Sequence, residues 1–271
     1  MKVIILAILG MIGTQCMCQS YLSFSPSIGL QRCFARHIGD NNSSIFKNNS
    51  FNQQVQLGFL LDYHYKDKWV VSTGYVYDHA GYAYSLKDNS SVKKDSNFIS
   101  YSHSSAMRTL SIPLKVSFLL KEVNVVKSKS KHPTSMQRSI TEINRDTHLL
   151  NFLFKLNAAI IYNHVPDRPF PKATYSNNQV STTSEYSTIN RNGVSISLGF
   201  SIHFLRRGKE FIGLNFYYSQ GITSYESIKI SYTTLSNDQS YQENLITKGT
   251  NCGISIFYPI KIITFNKSKL K

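Results

Sequence analysis

Eight stretches of this chain place an apolar residue at every second position, and the residues between them are small and mostly uncharged. Leu22, Phe24, Ile28 and Leu30 alternate with Ser23, Ser25, Ser27, Gly29 and Gln31. Val55, Leu57, Phe59 and Leu61 alternate with Gln54, Gln56, Gly58 and Asp62. The same pattern returns at 69–78, 109–120, 150–163, 194–204, 212–219 and 251–262. A period of two is the signature of a β-strand with two unlike faces. Each run is long enough for the roughly 9–11 residues a tilted strand uses to cross a bilayer. The connections also alternate. Lys66-Asp67-Lys68 and Arg206-Arg207-Gly208-Lys209 are tight turns, whereas 32–51, 85–105, 164–189 and 226–248 are long links rich in Asn, Ser, Thr and Tyr. Short turns on one side and long loops on the other is how outer-membrane barrels are organised.

A soluble β-sandwich or a lipocalin-like barrel also alternates, with its apolar rows turned inward. The chemistry of the polar face separates the two. A solvated face carries Lys, Glu and Asp, whereas this one is Ser, Gly, Asn and Gln, suited to the crowded interior of an eight-stranded barrel. The apolar rows end in Tyr63, Tyr65, Trp69, Tyr75, Tyr77, Tyr162 and Tyr258, as expected of side chains at headgroup level. Composition agrees: charged residues are 17% and aromatics 13%, with 17 Tyr and 16 Phe. That excludes disorder, and four cysteines in 271 residues exclude a disulfide-built mini-domain. The expected fold is all-β, an eight-stranded antiparallel up-and-down transmembrane β-barrel over residues 19–265. Two further segments flank it, residues 1–18 and a basic tail at 266–271. Met1-Lys2, the apolar run Val3 to Ile12 and the small residues up to Cys18 read as an export signal ending before Gln19.

The run RTLSIPLKVSFLL, Arg108 to Leu120 with its Ile112-Pro113-Leu114 step, together with the signal and the eight strands, resembles the PorT-like, or porin-family, outer-membrane β-barrels of Bacteroidota. That resemblance implies location in the bacterial outer membrane. It also implies an accessory part in protein secretion or envelope assembly.

The formal net charge is +15. In a barrel with a periplasmic N-terminus, the links 66–68, 121–147 and 206–210 and the tail carry nine excess positive charges, and the four long loops only two. Lipid phosphates are the ordinary partner for such charge. The sharper expectation is a periplasmic protein or cell-wall partner docked through residues 121–147. Export removes nucleic acid as a partner, and a monomer is expected. Among the loops, 164–189 with Pro166, Pro169 and Pro171 reads as the stiffest.

Candidate chemistry is sparse. His103-Ser104-Ser105 contains a His-x-Ser step reminiscent of lipid A deacylase barrels, but no acidic residue lies within several positions downstream to orient the imidazole. Asp62, Asp78, Lys115, Lys155 and Lys261, with His64 and His203 nearby, fall on the inward face, where opposite charges are expected to pair. The histidines lack metal-ligand spacing, and no cofactor or catalytic residue is indicated. Cys33 and Cys252 lie on the first and last strands but on opposite faces, so two free thiols are expected. The expected role is non-enzymatic: envelope structure, surface interaction or envelope assembly. The alternatives are a secretion component, a soluble lipocalin-like ligand carrier and, last, a lipid-A-modifying barrel.

Overall fold

The computed structural model describes residues 20–38, 45–49, 51–66, 68–87, 100–125, 150–166, 171–177, 179–206, 209–234 and 238–265. The expected signal at 1–18, residues 126–147 of the expected link and the tail at 266–271 lie outside the described residues.

Thirteen strands follow one another: β1 (Ser20–Ile38), β2 (Phe46–Asn49), β3 (Phe51–Tyr65), β4 (Trp69–Lys87), β5 (Ser100–Val125), β6 (Leu150–His164), β7 (Lys172–Ser176), β8 (Val180–Thr188), β9 (Asn192–Arg206), β10 (Lys209–Gly221), β11 (Glu226–Thr234), β12 (Gln239–Phe257) and β13 (Ile260–Phe265). Eight of them form a ring in the order β1-β3-β4-β5-β6-β9-β10-β12, and β12 returns to β1. Every pair in the ring is antiparallel. These are the eight strands expected from alternation, and the chain is a closed antiparallel transmembrane β-barrel.

The phase of each strand is also the expected one. Ser23, Ser25, Ser72, Ser117, Asn157, Ser197 and Ser255 are buried inside, while Leu198 is 62%, Ile160 59% and Ile28 54% exposed on the outside. A soluble fold would bury those aliphatic chains, since each contributes about 1.5–3 kcal/mol on leaving water. Aromatic contacts ring the end that bears the short turns. Trp69 meets Phe118 at 4.6 Å and Phe152 meets Phe204 at 5.2 Å. Tyr162 and Tyr218 stand exposed toward the opposite, loop end. An apolar band flanked by aromatic girdles is the outer surface of an outer-membrane barrel, where the band is typically about 25 Å tall.

Three features depart from the expectation. The long links are not simply loops: β2, β7, β8 and β11 lie within them, and β1, β4, β5 and β12 extend well beyond the apolar band. The link expected at 121–147 begins later, because β5 continues through Val125 and pairs with β6 as far as Val125↔Leu150. The last strand is broken. Pro259 has no N–H to donate, so β12 stops at Phe257 and β13 resumes beside the turn-end half of β1, Ser20↔Phe265 to Phe24↔Ile260. Pro113 is accommodated similarly. The β4–β5 ladder is interrupted between Thr73↔Leu114 and Val76↔Ser111, where its missing N–H would fall.

Replacing Leu198 by Arg places a guanidinium near the middle of the band. We expect it to destabilise the refolded barrel by about 2–4 kcal/mol, read from urea unfolding in lipid vesicles. A change within about 0.5 kcal/mol, the usual cost at a water-exposed position, would contradict the bilayer-facing assignment.

Candidate functional site

The interior is filled in three tiers, beginning at the turn end with charge. Lys155 on β6 donates to Glu210 Oε1 at 2.9 Å, and Glu210 Oε2 lies 3.1 Å from His203 Nδ1. His203 Nε2 in turn meets Ser201 Oγ at 2.9 Å. Register explains the grouping. Ser201 and His203 are two apart on β9, hence on one face, and Lys155 sits directly opposite Ser201. Glu210 joins them because a bulge between Glu210 and Ile212 shifts the β9–β10 register and turns its side chain inward. Across the lumen, Ser23 bonds His64 at 2.9 Å and Ser25 donates to Asp62. Tyr21 stacks on His64 with centroids 4.0 Å apart, and Lys261 Nζ stands 4.5 Å from the Tyr21 ring centre. Between these groups is a chamber of about 110 Å³ lined by Asp62, His64, Lys115, Lys155, His203 and Glu210, among others.

Ser201, His203 and Glu210 follow one another in the order of a hydrolytic triad. Two observations weigh against nucleophilic use. Glu210 is shared with Lys155, and Ser201 is buried on a strand paired on both sides with β6 and β10. Strand pairing directs the neighbouring backbone N–H groups to carbonyls rather than to a developing oxyanion. The geometry suits a closed ion network.

The middle tier is built of amides and hydroxyls around one carboxyl group, Asp78. Asn157 donates to Asn215 at 2.8 Å, and Tyr217 reaches across the lumen to Gln31 and Gln56 at 3.3 and 3.2 Å. Ser111 donates to Asn163, which donates to Ser195 and to the Tyr225 hydroxyl, each at 2.8 Å. Above them Tyr225, fully buried, packs with Ala80, Met107 and Val165 as an apolar stopper. Gly249, at φ 71°, serves that stopper: a side chain there would be strained and would also meet the Tyr225 ring.

The third tier is a cap beyond the band. The loop-end arms of β4 and β5, with β2, form one layer, and β12-β11-β8-β7 form the other. Tyr82, Tyr84, Leu86 and Tyr101 pack between the layers against Val180, Ile228, Ile230, Tyr232 and Leu245. Tyr82 and Tyr186 join hydroxyls at 2.8 Å, and Tyr101 stacks on Tyr175 at 4.9 Å. Phe46 lies 5.4 Å from Tyr84 and 6.4 Å from Tyr232. His37 on β1 and Glu243 on β12 meet at 2.8 Å. Burial holds the Tyr84 phenol above the ordinary tyrosine range. The folded cap therefore keeps that proton more firmly than the unfolded chain, and its contribution falls as pH rises past the usual value of about 10.

The sequence-predicted residues distribute unevenly over these tiers. Lys155 has an ion pair, but with Glu210, which the sequence places in the 206–210 turn, rather than with Asp62 or Asp78. Asp78 instead accepts the His79 backbone N–H at 2.6 Å. Lys261 lies exposed at the turn-end mouth, not buried among the lumen charges. His103 sits among Tyr82, Tyr84 and Tyr101 in the cap. Cys33 is buried and donates to the His79 carbonyl at 3.1 Å, whereas Cys252 is opposite Arg32 on the outer face, and both are free. No group of His, Cys, Asp and Glu that could hold a metal occurs among the described residues. Glu210, Tyr217 and Tyr225 were missed. Of these, Tyr217 carried a visible signal, as a bulky aromatic between the small inward residues Asn215 and Ser219.

No protein-family model and no curated protein matches the sequence. Among solved structures, the outer membrane protein OprG from Pseudomonas aeruginosa is similar with a TM-score of 0.42 and 11% identity, covering 90% of this chain and 97% of that one. The outer membrane protease OmpT from Escherichia coli is similar with a TM-score of 0.21 and 8% identity, covering 89% and 96%.

Replacing Lys155 by Met leaves Glu210 buried without its cation, and we expect a loss of about 3–5 kcal/mol. The double replacement Lys155→Met with Glu210→Gln should regain most of it in urea titrations; no recovery would mean that the pair is not the source of the loss. In the cap, Ile230→Ala should cost about 2–5 kcal/mol. It should raise protease sensitivity of the loop end while the barrel stays resistant.

Proposed function

We propose that this chain is an integral outer-membrane protein that conducts no solute, catalyses no reaction and presents its folded cap to partners at the cell surface. One observation carries this reading: a continuous apolar outer band encloses a lumen crossed first by ion pairs around a small chamber, then by amide and hydroxyl groups, then by the Tyr225 stopper. A soluble carrier with these strands would turn its aliphatic rows toward a cavity, and a channel would leave the axis open. Tyrosine-rich surfaces combine a rigid apolar body with a polar tip, which favours recognition. The cap supplies exposed Tyr175 for such contacts.

Within that reading, membership of the PorT-like barrels and an accessory part in secretion or envelope assembly remain a narrower proposal. The Ile112-Pro113-Leu114 step on β5 and the basic residues of 121–147 support it.

The purified protein should migrate faster on detergent gels before boiling than after it, fractionate with outer membranes and stay electrically silent in planar bilayers. Recovery in a soluble fraction would overturn the residence. Steady conductance steps would overturn the sealed lumen.

A further inference from the structure

The outer wall of a barrel is convex, yet across β9, β10, β12, β1 and β3 this one carries a depression of about 890 Å³. That volume lies within the range of sites that take small organic ligands. Its cause is visible on the inside. Gly29, Gly199 and Gly253 face inward without side chains, and Tyr217 lies beneath the wall so closely that a Cβ on Gly253 would stand 2.5 Å from its hydroxyl. The wall is thereby free of inward side chains at three neighbouring places beneath the depression.

Register arranges the outer face of the depression in rows. Phe200, Phe216, Ile254, Leu30 and Val55 stand side by side across five strands. The next row toward the loop end is Leu198, Tyr218, Cys252 and Arg32. The floor is therefore apolar, and its loop-end margin holds one guanidinium. Arg32 is exposed and has no carboxylate partner among the described residues. Arg36 follows four residues later on the same face. The acidic residues of these five strands point elsewhere: Asp62 and Glu210 into the lumen, Glu243 to His37. Beside Arg32, Tyr218 donates to Gln220 at 2.6 Å, and Gln220 donates to Thr250 at 3.3 Å, a polar ledge at the edge of the band.

We propose that this depression is a lipid-binding site, seating acyl chains of a phosphorylated lipid from the loop-end leaflet with its phosphate on Arg32. The inference rests on the membrane residence proposed above. Charge decides the headgroup: a cation with no carboxylate partner among the described residues, at the rim of an apolar trough, selects an anion. A phosphate satisfies a guanidinium with two parallel hydrogen bonds.

The test uses single-tryptophan proteins in a Trp69→Phe background, refolded into vesicles containing brominated phosphatidylglycerol or brominated phosphatidylcholine. Phe216→Trp reports from the depression, and Leu114→Trp reports from the opposite wall on β5. We expect quenching at 216 to favour the anionic lipid over the zwitterionic one by about fivefold more than at 114. That excess should vanish with Arg32→Gln and persist with Arg32→Lys. Equal quenching by both lipids at 216, with both lipids quenching 114, would overturn the site and leave the membrane barrel standing. Absence of quenching at either position would overturn both.

Discussion

Everything in this structure depends on the return of β12 to β1. Inside a bilayer no water is available to an unpaired N–H or C=O, so an open sheet edge would cost several kcal/mol for each stranded group. The ladder from Ser27↔Phe257 to Ile38↔Asn244 removes that edge across the apolar band, and β13 continues it along the turn-end half of β1. Once the ring closes at eight strands, its interior is only wide enough for side chains. The choice of Ser, Gly and Asn on the inward face follows from that width.

Closure also sets where charge can be tolerated. A carboxylate inside so narrow a tube must meet a cation or a donor, and the turn end meets this requirement with Lys155, Glu210 and His203. Toward the loop end amides and hydroxyls take over, and the one carboxyl group among them, Asp78, accepts the His79 backbone N–H. The apolar layer at Tyr225 then separates this polar interior from the cap, whose core is aromatic and aliphatic.

Much of this was legible in the sequence because a two-residue period leaves little freedom. Once Leu198 and Phe200 face one way, Ser197 and Gly199 must face the other, and the identity of the polar residues tells which side is lipid. What stayed hidden has physical causes. Glu210 reads as a turn residue because the bulge beside it reverses its face, and a bulge has no signature in simple alternation. The cap strands read as loops because Asn, Ser and Thr dominate them. Ile228, Ile230 and Tyr232 alternate there too, but a short period in polar surroundings does not announce a second core. The broken last strand was readable at Pro259, whereas the depression over Tyr217 depends on how five strands sit together and has no counterpart in any one of them.

Strand β4 carries a consequence of its own. Its even-numbered residues point inward over its whole length, yet they change from Ser72 and Gly74 in the band to Tyr82, Tyr84 and Leu86 in the cap, passing Asp78 and Ala80 between. One uninterrupted backbone thus passes from a stretch with one buried face into a stretch with two. Evolution is then free to vary different faces at different depths: aliphatic exchange is cheap outside and hydroxyl exchange cheap inside below Asp78, whereas above it Gly81, Ala83 and Ser85 are covered as well and neither face is free to change. A family descended from such a chain would drift along a boundary that crosses the middle of its strands rather than their ends.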